Sequence, residues 1–175
     1  MKRTATRLSR LLMSLALALI GLAVLAPPAP AATTYRAHLA GSNEVPSRDT
    51  RAQGQAIFTL SADGTELRYR LIVANIDNVT ASHIHLGAAD ANGPVVAFLY
   101  GTAASGQGAV NGVIATGTLT ADDLVGPLAG HPLSDLLSAI EAGNTYVNVH
   151  TNDGVAPTNT GPGDFPGGEI RGQLR

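Results

Sequence analysis

Two short stretches hold the residues able to do chemistry: Ser82-His83-Ile84-His85 and Tyr146-Val147-Asn148-Val149-His150-Thr151. Each reads as a β-strand with polar rings on one face and aliphatics on the other, because residues i and i+2 of a strand point the same way. His83 and His85 share a face opposite Ile84 and Leu86, and Asn148 and His150 oppose Val147 and Val149. Three of the five histidines therefore stand off the core. Two imidazoles at i, i+2 and a third from a neighbouring strand can converge on one transition metal. Copper suits an imidazole-only set, since Cu(II) heads the affinity order of the divalent ions. A three-histidine zinc site with an open position is the other metal the set could hold. The same rings could instead form a metal-free, hydrogen-bonded polar cluster, with Asn148, Glu169 and Glu44 as partners or as groups that orient the rings.

The elements that must position these rings read as strands. Tyr35, Ala37 and Leu39 alternate with polar residues, as do Ala56, Phe58 and Leu60. Asp63-Gly64 is a hairpin signal, and beyond it Leu67, Tyr69, Leu71 and Val73 alternate with Glu66, Arg68 and Arg70. A loop is expected at residues 75–78, and the histidine strand at about 80–86. Residues 94–100 are almost all apolar, as in a strand covered on both faces. A further strand covers residues 112–119, and Thr120 and Asp123 have the spacing of a helix-starting cap. Leu133, Leu136, Leu137 and Ile140 make an i, i+3, i+4, i+7 stripe, with Pro132 before it and Gly143 after. The Gly- and Pro-rich stretch 152–167 is a long loop before the last strand, 168–174. The expected fold is all-β, an antiparallel Greek-key β-sandwich with one short amphipathic helix at residues 133–142.

The first 31 residues read as a secretory signal peptide. Lys2, Arg3, Arg7 and Arg10 precede an apolar run over 11–26, and Ala29-Pro30-Ala31 has the small-x-small form of a cleavage site. The run is short for a membrane span, which needs ~20 residues. The domain is then 32–175, one domain by size. It carries seven arginines against thirteen acidic residues and no lysine, a net charge of −6. That balance argues against nucleic acid or an anionic membrane as partner. The absence of cysteine in a chain expected to be secreted leaves the core to hold the fold without disulfides.

Leu39-Ala40-Gly41-Ser42-Asn43-Glu44-Val45-Pro46, Ser82-His83-Ile84-His85-Leu86-Gly87, Gly143-Asn144-Thr145-Tyr146-Val147-Asn148-Val149-His150-Thr151 and Gly167-Gly168-Glu169-Ile170-Arg171-Gly172-Gln173-Leu174 occur in this order. Together they resemble the CHRD domain, named for its occurrence in chordin and common in exported microbial proteins. The likeness runs from about Tyr35 to Arg175. It implies an all-β domain and assigns no biochemical role. A second resemblance is to copper/zinc superoxide dismutase, a Greek-key β-sandwich with a His-x-His strand, a later histidine strand and an arginine near the C-terminus. Carried over, it implies His83, His85 and His150 as copper ligands and Arg171 as the catalytic residue that guides superoxide. The chain lacks the histidine cluster between His85 and Pro94 that a bridging ligand and a zinc site would need, and it has no disulfide. The resemblance is therefore to a copper-only site, with His38 or His131 as the sole candidate for a fourth imidazole.

Other motifs carry less. Arg171 is expected to pair with a carboxylate such as Glu169. Asp90-Ala91-Asn92-Gly93 and Asn152-Asp153-Gly154 lack the ligand spacing of a 12-residue calcium loop. Asn78-Val79-Thr80 fits a glycosylation sequon, a pattern common by chance. The reading is an exported copper-binding sandwich with superoxide dismutase-like or copper-buffering activity; the other class is a metal-free extracellular structural or interaction module.

Overall fold

Alternation of side chains builds the first half of the sheet. In the computed structural model, which describes residues 32–175, strands β1 (Thr34–Ala40), β2 (Gln53–Leu60) and β3 (Leu67–Asp77) form an antiparallel meander. Tyr35, Ala37 and Leu39 are buried on β1, Ala56 and Phe58 on β2, and Leu67, Leu71 and Val73 on β3. Each large apolar side chain fully buried in this way contributes ~1.5–3 kcal/mol. The β2–β3 hairpin turns at Asp63-Gly64, where Gly64 takes φ 74° and the Asp63 carboxylate accepts hydrogen bonds from the Ser61 and Thr65 hydroxyls and the Thr65 amide. The signal peptide expected over residues 1–31 lies outside the described residues.

No loop separates β3 from β4 (Val79–Leu86): only Asn78 stands between them. Asn78 takes φ 54°, which asparagine tolerates better than most residues. Its amide donates to the Gly163 carbonyl at 3.2 Å and accepts from the Gly108 amide at 2.8 Å. The loop expected at 75–78 is thus a strand corner, and the sequon asparagine is engaged at both ends of its side chain.

The remaining strands are β5 (Val95–Tyr100), β6 (Ala109–Leu119), β7 (Thr145–Thr151) and β8 (Ile170–Gln173). All pair antiparallel in one sheet ordered β5-β4-β7-β8-β1-β2-β3-β6. Its ends nearly meet: the Tyr69 hydroxyl of β3 donates to the Leu99 carbonyl of β5 at 2.8 Å. The sheet curls into a sandwich- or barrel-like enclosure, the all-β antiparallel class expected. Strand β5 departs from expectation. Its apolar run predicts cover on both faces, but it ends the sheet and Phe98 is 55% exposed.

Helix α1 (Leu133–Glu141) is the one α-helix among the described residues. Leu133, Leu136 and Ile140 enter the core, Pro132 occupies the N-cap and Gly143 leaves the last turn at φ 70°. The cap at Thr120 and Asp123 exists, but it opens only a 3-10 turn over Ala121–Asp123. From α1 the chain runs directly into β7. Val147 and Val149 of β7 enter the core, while Tyr146 and Asn148 are buried on the opposite face, where loops at residues 87–94 and 152–169 contact its ring-bearing side chains.

Candidate metal centre

Strand pairing brings the three rings together. β4 and β7 are neighbours, with His83 opposite Asn148, His85 opposite Tyr146 and Ala81 opposite His150. On that shared face one ring nitrogen from each of His83, His85 and His150 lies within 4.8 Å of the others. Nδ1 of His83 and Nε2 of His150 are 3.1 Å apart. Two bonds of ~2.0–2.1 Å to one metal, meeting near 100°, require that separation. The widest pair must close by roughly 1 Å to reach such bonds, a shift within side-chain rotation.

The tautomers follow from backbone carbonyls, which can only accept. Nδ1 of His85 lies 2.9 Å from the Gly93 carbonyl, and Nδ1 of His150 lies 2.8 Å from that of Pro166. Both Nδ1 atoms therefore carry hydrogen, and both Nε2 atoms present a lone pair. Nε2 of His85 is buried and makes no hydrogen bond of good geometry, although the Asn148 side chain lies near enough to the ring to favour its protonated form. Such an atom costs ~1–3 kcal/mol unless something binds it. Metal-ligating histidines show this arrangement, one nitrogen fixed by a carbonyl and the other free. In the absence of a cation, Nδ1–H of His83 donates to Nε2 of His150.

Burial pushes all three imidazoles below their ordinary value. His83 falls to about 4, through burial first and then its two histidine neighbours. For His85 and His150 the carbonyls of Gly93 and Pro166 partly oppose the same effect. The cluster is thus neutral at neutral pH, the state a metal needs.

Behind His85 stands a stack. The His85 and Tyr146 rings are 9° from parallel with centroids 4.8 Å apart, and the Arg171 guanidinium carbon lies 3.4 Å from the Tyr146 ring centroid. β7 lies between β4 and β8, so the Tyr146 ring separates the imidazole from the guanidinium. The Gly93 amide donates to the Tyr146 hydroxyl at 3.1 Å, so one turn fixes both rings. A Cβ at Gly93 would overlap the Leu86 carbonyl, and only glycine fits that turn.

Arg171 is only 1% exposed. Its guanidinium donates to the Asn92 side-chain oxygen at 3.1 Å and to the carbonyls of Ala88 and Ala91 at 2.7 and 2.9 Å. The expected pairing with Glu169 is not made. The calcium-like sequence at 90–93 belongs instead to a loop whose oxygens hold a cationic side chain.

Glu169 is fully buried and accepts from the Thr50 and Thr151 hydroxyls at 2.6 and 2.7 Å and from the Gly163 amide at 2.8 Å. It thereby pins the loop whose Pro166 carbonyl orients His150. Glu44 and Asn148 both lie against Gly168, where an added Cβ would meet the Glu44 carboxylate and the Asn148 amide. Burial raises the Glu44 carboxyl to about 7, against the lowering effect of Arg171 and Arg48. His131 is bonded to Asp135 at 2.7 Å on the surface, and His38 is exposed on β1, lining a cleft of about 670 Å³ with Arg36 and Arg175. Neither joins the three-histidine cluster. Sequence reading missed Tyr146 and Gly93. The strand phase put Tyr146 on the histidine face, and only that phase could have flagged it.

A family model for the CHRD domain matches residues 35–174. No curated protein and no solved structure matches the chain. No helix among the described residues is long and apolar enough to cross a membrane.

Proposed function

The chain belongs to the CHRD domain family, and from that premise we propose that it is an exported domain whose cluster of His83, His85 and His150 binds copper. One observation carries the reading: one ring nitrogen from each of the three histidines lies within 4.8 Å of the others, with the Nδ1 atoms of His85 and His150 engaged by the Gly93 and Pro166 carbonyls so that both Nε2 atoms are left for a metal. The donor set is imidazole alone, which suits copper above zinc by affinity order. When bound, copper supplies one-electron chemistry or a transferable cation. The residues of the chain hold the rings neutral, fix two tautomers through Gly93 and Pro166, and cover His85. Arg171 is held by loop oxygens and a ring face, which favours copper buffering over dismutation with Arg171 as a superoxide guide. Export and the absence of a nucleic-acid or membrane partner rest on the signal-like N-terminus and the acidic balance.

The second reading, a metal-free extracellular structural or interaction module, draws on the His83–His150 contact at 3.1 Å, which closes the cluster as a hydrogen bond. Metal analysis of purified secreted protein, followed by copper titration, separates the two. Stoichiometric copper retained through dialysis, lost in His83→Ala and in His150→Ala and kept in His131→Ala, is the expected result. Wild-type protein that retains no copper would leave the metal-free module, and equal retention by all four proteins would place the copper outside the cluster. Dismutation by copper-loaded protein above that of buffer copper would restore the enzymatic reading.

A further inference from the structure

Every ligand in the cluster is a neutral imidazole, and among the described residues no carboxylate or thiolate joins it. A bound ion therefore brings its whole charge into a partly covered site, with His85 buried and His83 and His150 half-buried, where an uncompensated charge is costly. The nearest formal charge in the stack behind the site is positive. The Arg171 guanidinium lies over the ring that stacks on His85, and the strands bearing His85 and Arg171 flank that of Tyr146 on opposite sides. All its hydrogen-bond partners are neutral: the Asn92 side-chain oxygen and the carbonyls of Ala88 and Ala91. Among the described residues the one arginine–carboxylate ion pair is Arg68–Glu66, so no carboxylate is paired with Arg171. Glu44 and Asp90 attract it from further off. Glu44 is only partly ionised at neutral pH, and Asp90 is exposed, so water and salt screen it.

We propose that Arg171, acting through the Tyr146 ring, biases the three-histidine cluster toward monovalent copper and against the divalent ions Cu(II) and Zn(II). This rests on the copper-binding reading and deepens it. The reason is Coulombic. A fixed positive charge repels a bound cation in proportion to that cation's charge, and the buried Arg171, Tyr146 and His85 side chains between them screen the repulsion less than water would. The Tyr146 face holds the guanidinium by cation–π attraction, so the charge stays in place with no anion to cancel it. Arg171 acts here as a positioning and specificity residue, with no contact to the metal.

The test measures Cu(I), Cu(II) and Zn(II) affinities separately, by competition with chelators of known affinity. The variants are Arg171→Gln, which removes the charge, and Asn92→Asp, which sets a carboxylate on the same guanidinium from an exposed position. Arg36→Gln is the control, an exposed arginine of the neighbouring strand. The ratio of Cu(II) to Cu(I) affinity should rise roughly tenfold or more in Arg171→Gln, and in the same direction in Asn92→Asp, while Arg36→Gln leaves it unchanged. Zn(II) affinity should rise with that of Cu(II). If Arg171→Gln fails to fold, Asn92→Asp decides alone. A wild-type protein that binds both copper ions, with a ratio indifferent to Asn92→Asp, overturns this inference and leaves copper binding intact. A wild-type protein that binds neither ion overturns both.

Discussion

Two titratable residues near the ring-bearing side of the sheet, half-buried His83 and buried Glu44, make opposite demands on pH. His83 has a folded value of about 4 against an ordinary 6.5. The unfolded chain therefore takes up its proton first. The stability linked to His83 is present above pH 6.5 and is lost as pH falls from 6.5 toward 4. Glu44 has a folded value of about 7 against an ordinary 4.5. Here the folded state keeps the proton longer, so its contribution is complete below pH 4.5 and lost as pH rises from 4.5 through 7. Metal-free protein unfolded by urea at a series of pH values should show both limbs. His83→Asn should flatten the acid limb and Glu44→Gln the one between 4.5 and 7. Slopes identical in wild type and variants would refute the assignment. Sequence phase alone placed His83, His85 and His150 on one face, because a strand's period of two leaves no other choice once Ile84, Val147 and Val149 go inward. It could not supply the carbonyls of Gly93 and Pro166 or the oxygens around Arg171. Those depend on loop paths, which no side-chain period encodes.

At the scale of elements, the seam between β8 and β1 is the narrowest joint in the sheet. The register there is a single pair, Ala40 with Arg171. It is extended by reciprocal backbone bonds between Arg36 and Arg175 at 2.7 and 3.1 Å. At Gly172 the two strands approach so closely that a Cβ would overlap the His38 carbonyl. Gly172→Ala should cost about 1–3 kcal/mol, the range for overpacking, because backbone rather than a flexible side chain is in the way. Chemical denaturation measures it, and a loss below about 0.5 kcal/mol would mean that the seam yields freely. The strands themselves were legible: β2, β3, α1 and β7 lie where alternation or the helical stripe put them. The corner at Asn78 was not, because Asn75, Asp77 and Asn78 together read as a loop. Bulges in the β3–β6 pairing and the left-handed asparagines Asn75 and Asn78 instead carry the chain around the fold as continuous strand. The exposure of Phe98 was hidden for a related reason. An apolar run does not reveal that its strand will end the sheet.

For the whole molecule, the cluster joins two strands that are already neighbours. β4 and β7 share seven register pairs, so their histidines already stand together in the folded form, and a metal that dissociates when they separate leaves the unfolded chain unconstrained. Its effect on global stability is therefore linkage alone: a ligand that binds only the folded form stabilises it by about 2.7 kcal/mol at a hundredfold excess over its dissociation constant. The unfolded chain keeps five histidines, and whatever copper they bind reduces that figure. Thermal unfolding with Cu(I) kept reduced should show a midpoint that climbs with copper concentration in wild type and in His131→Ala, whose ring is tied to Asp135 on the surface. In His83→Ala the midpoint should be independent of copper, or fall as the unfolded chain binds it. A copper-dependent rise of equal size in His83→Ala would place the binding elsewhere in the molecule and remove the three-histidine cluster as the site.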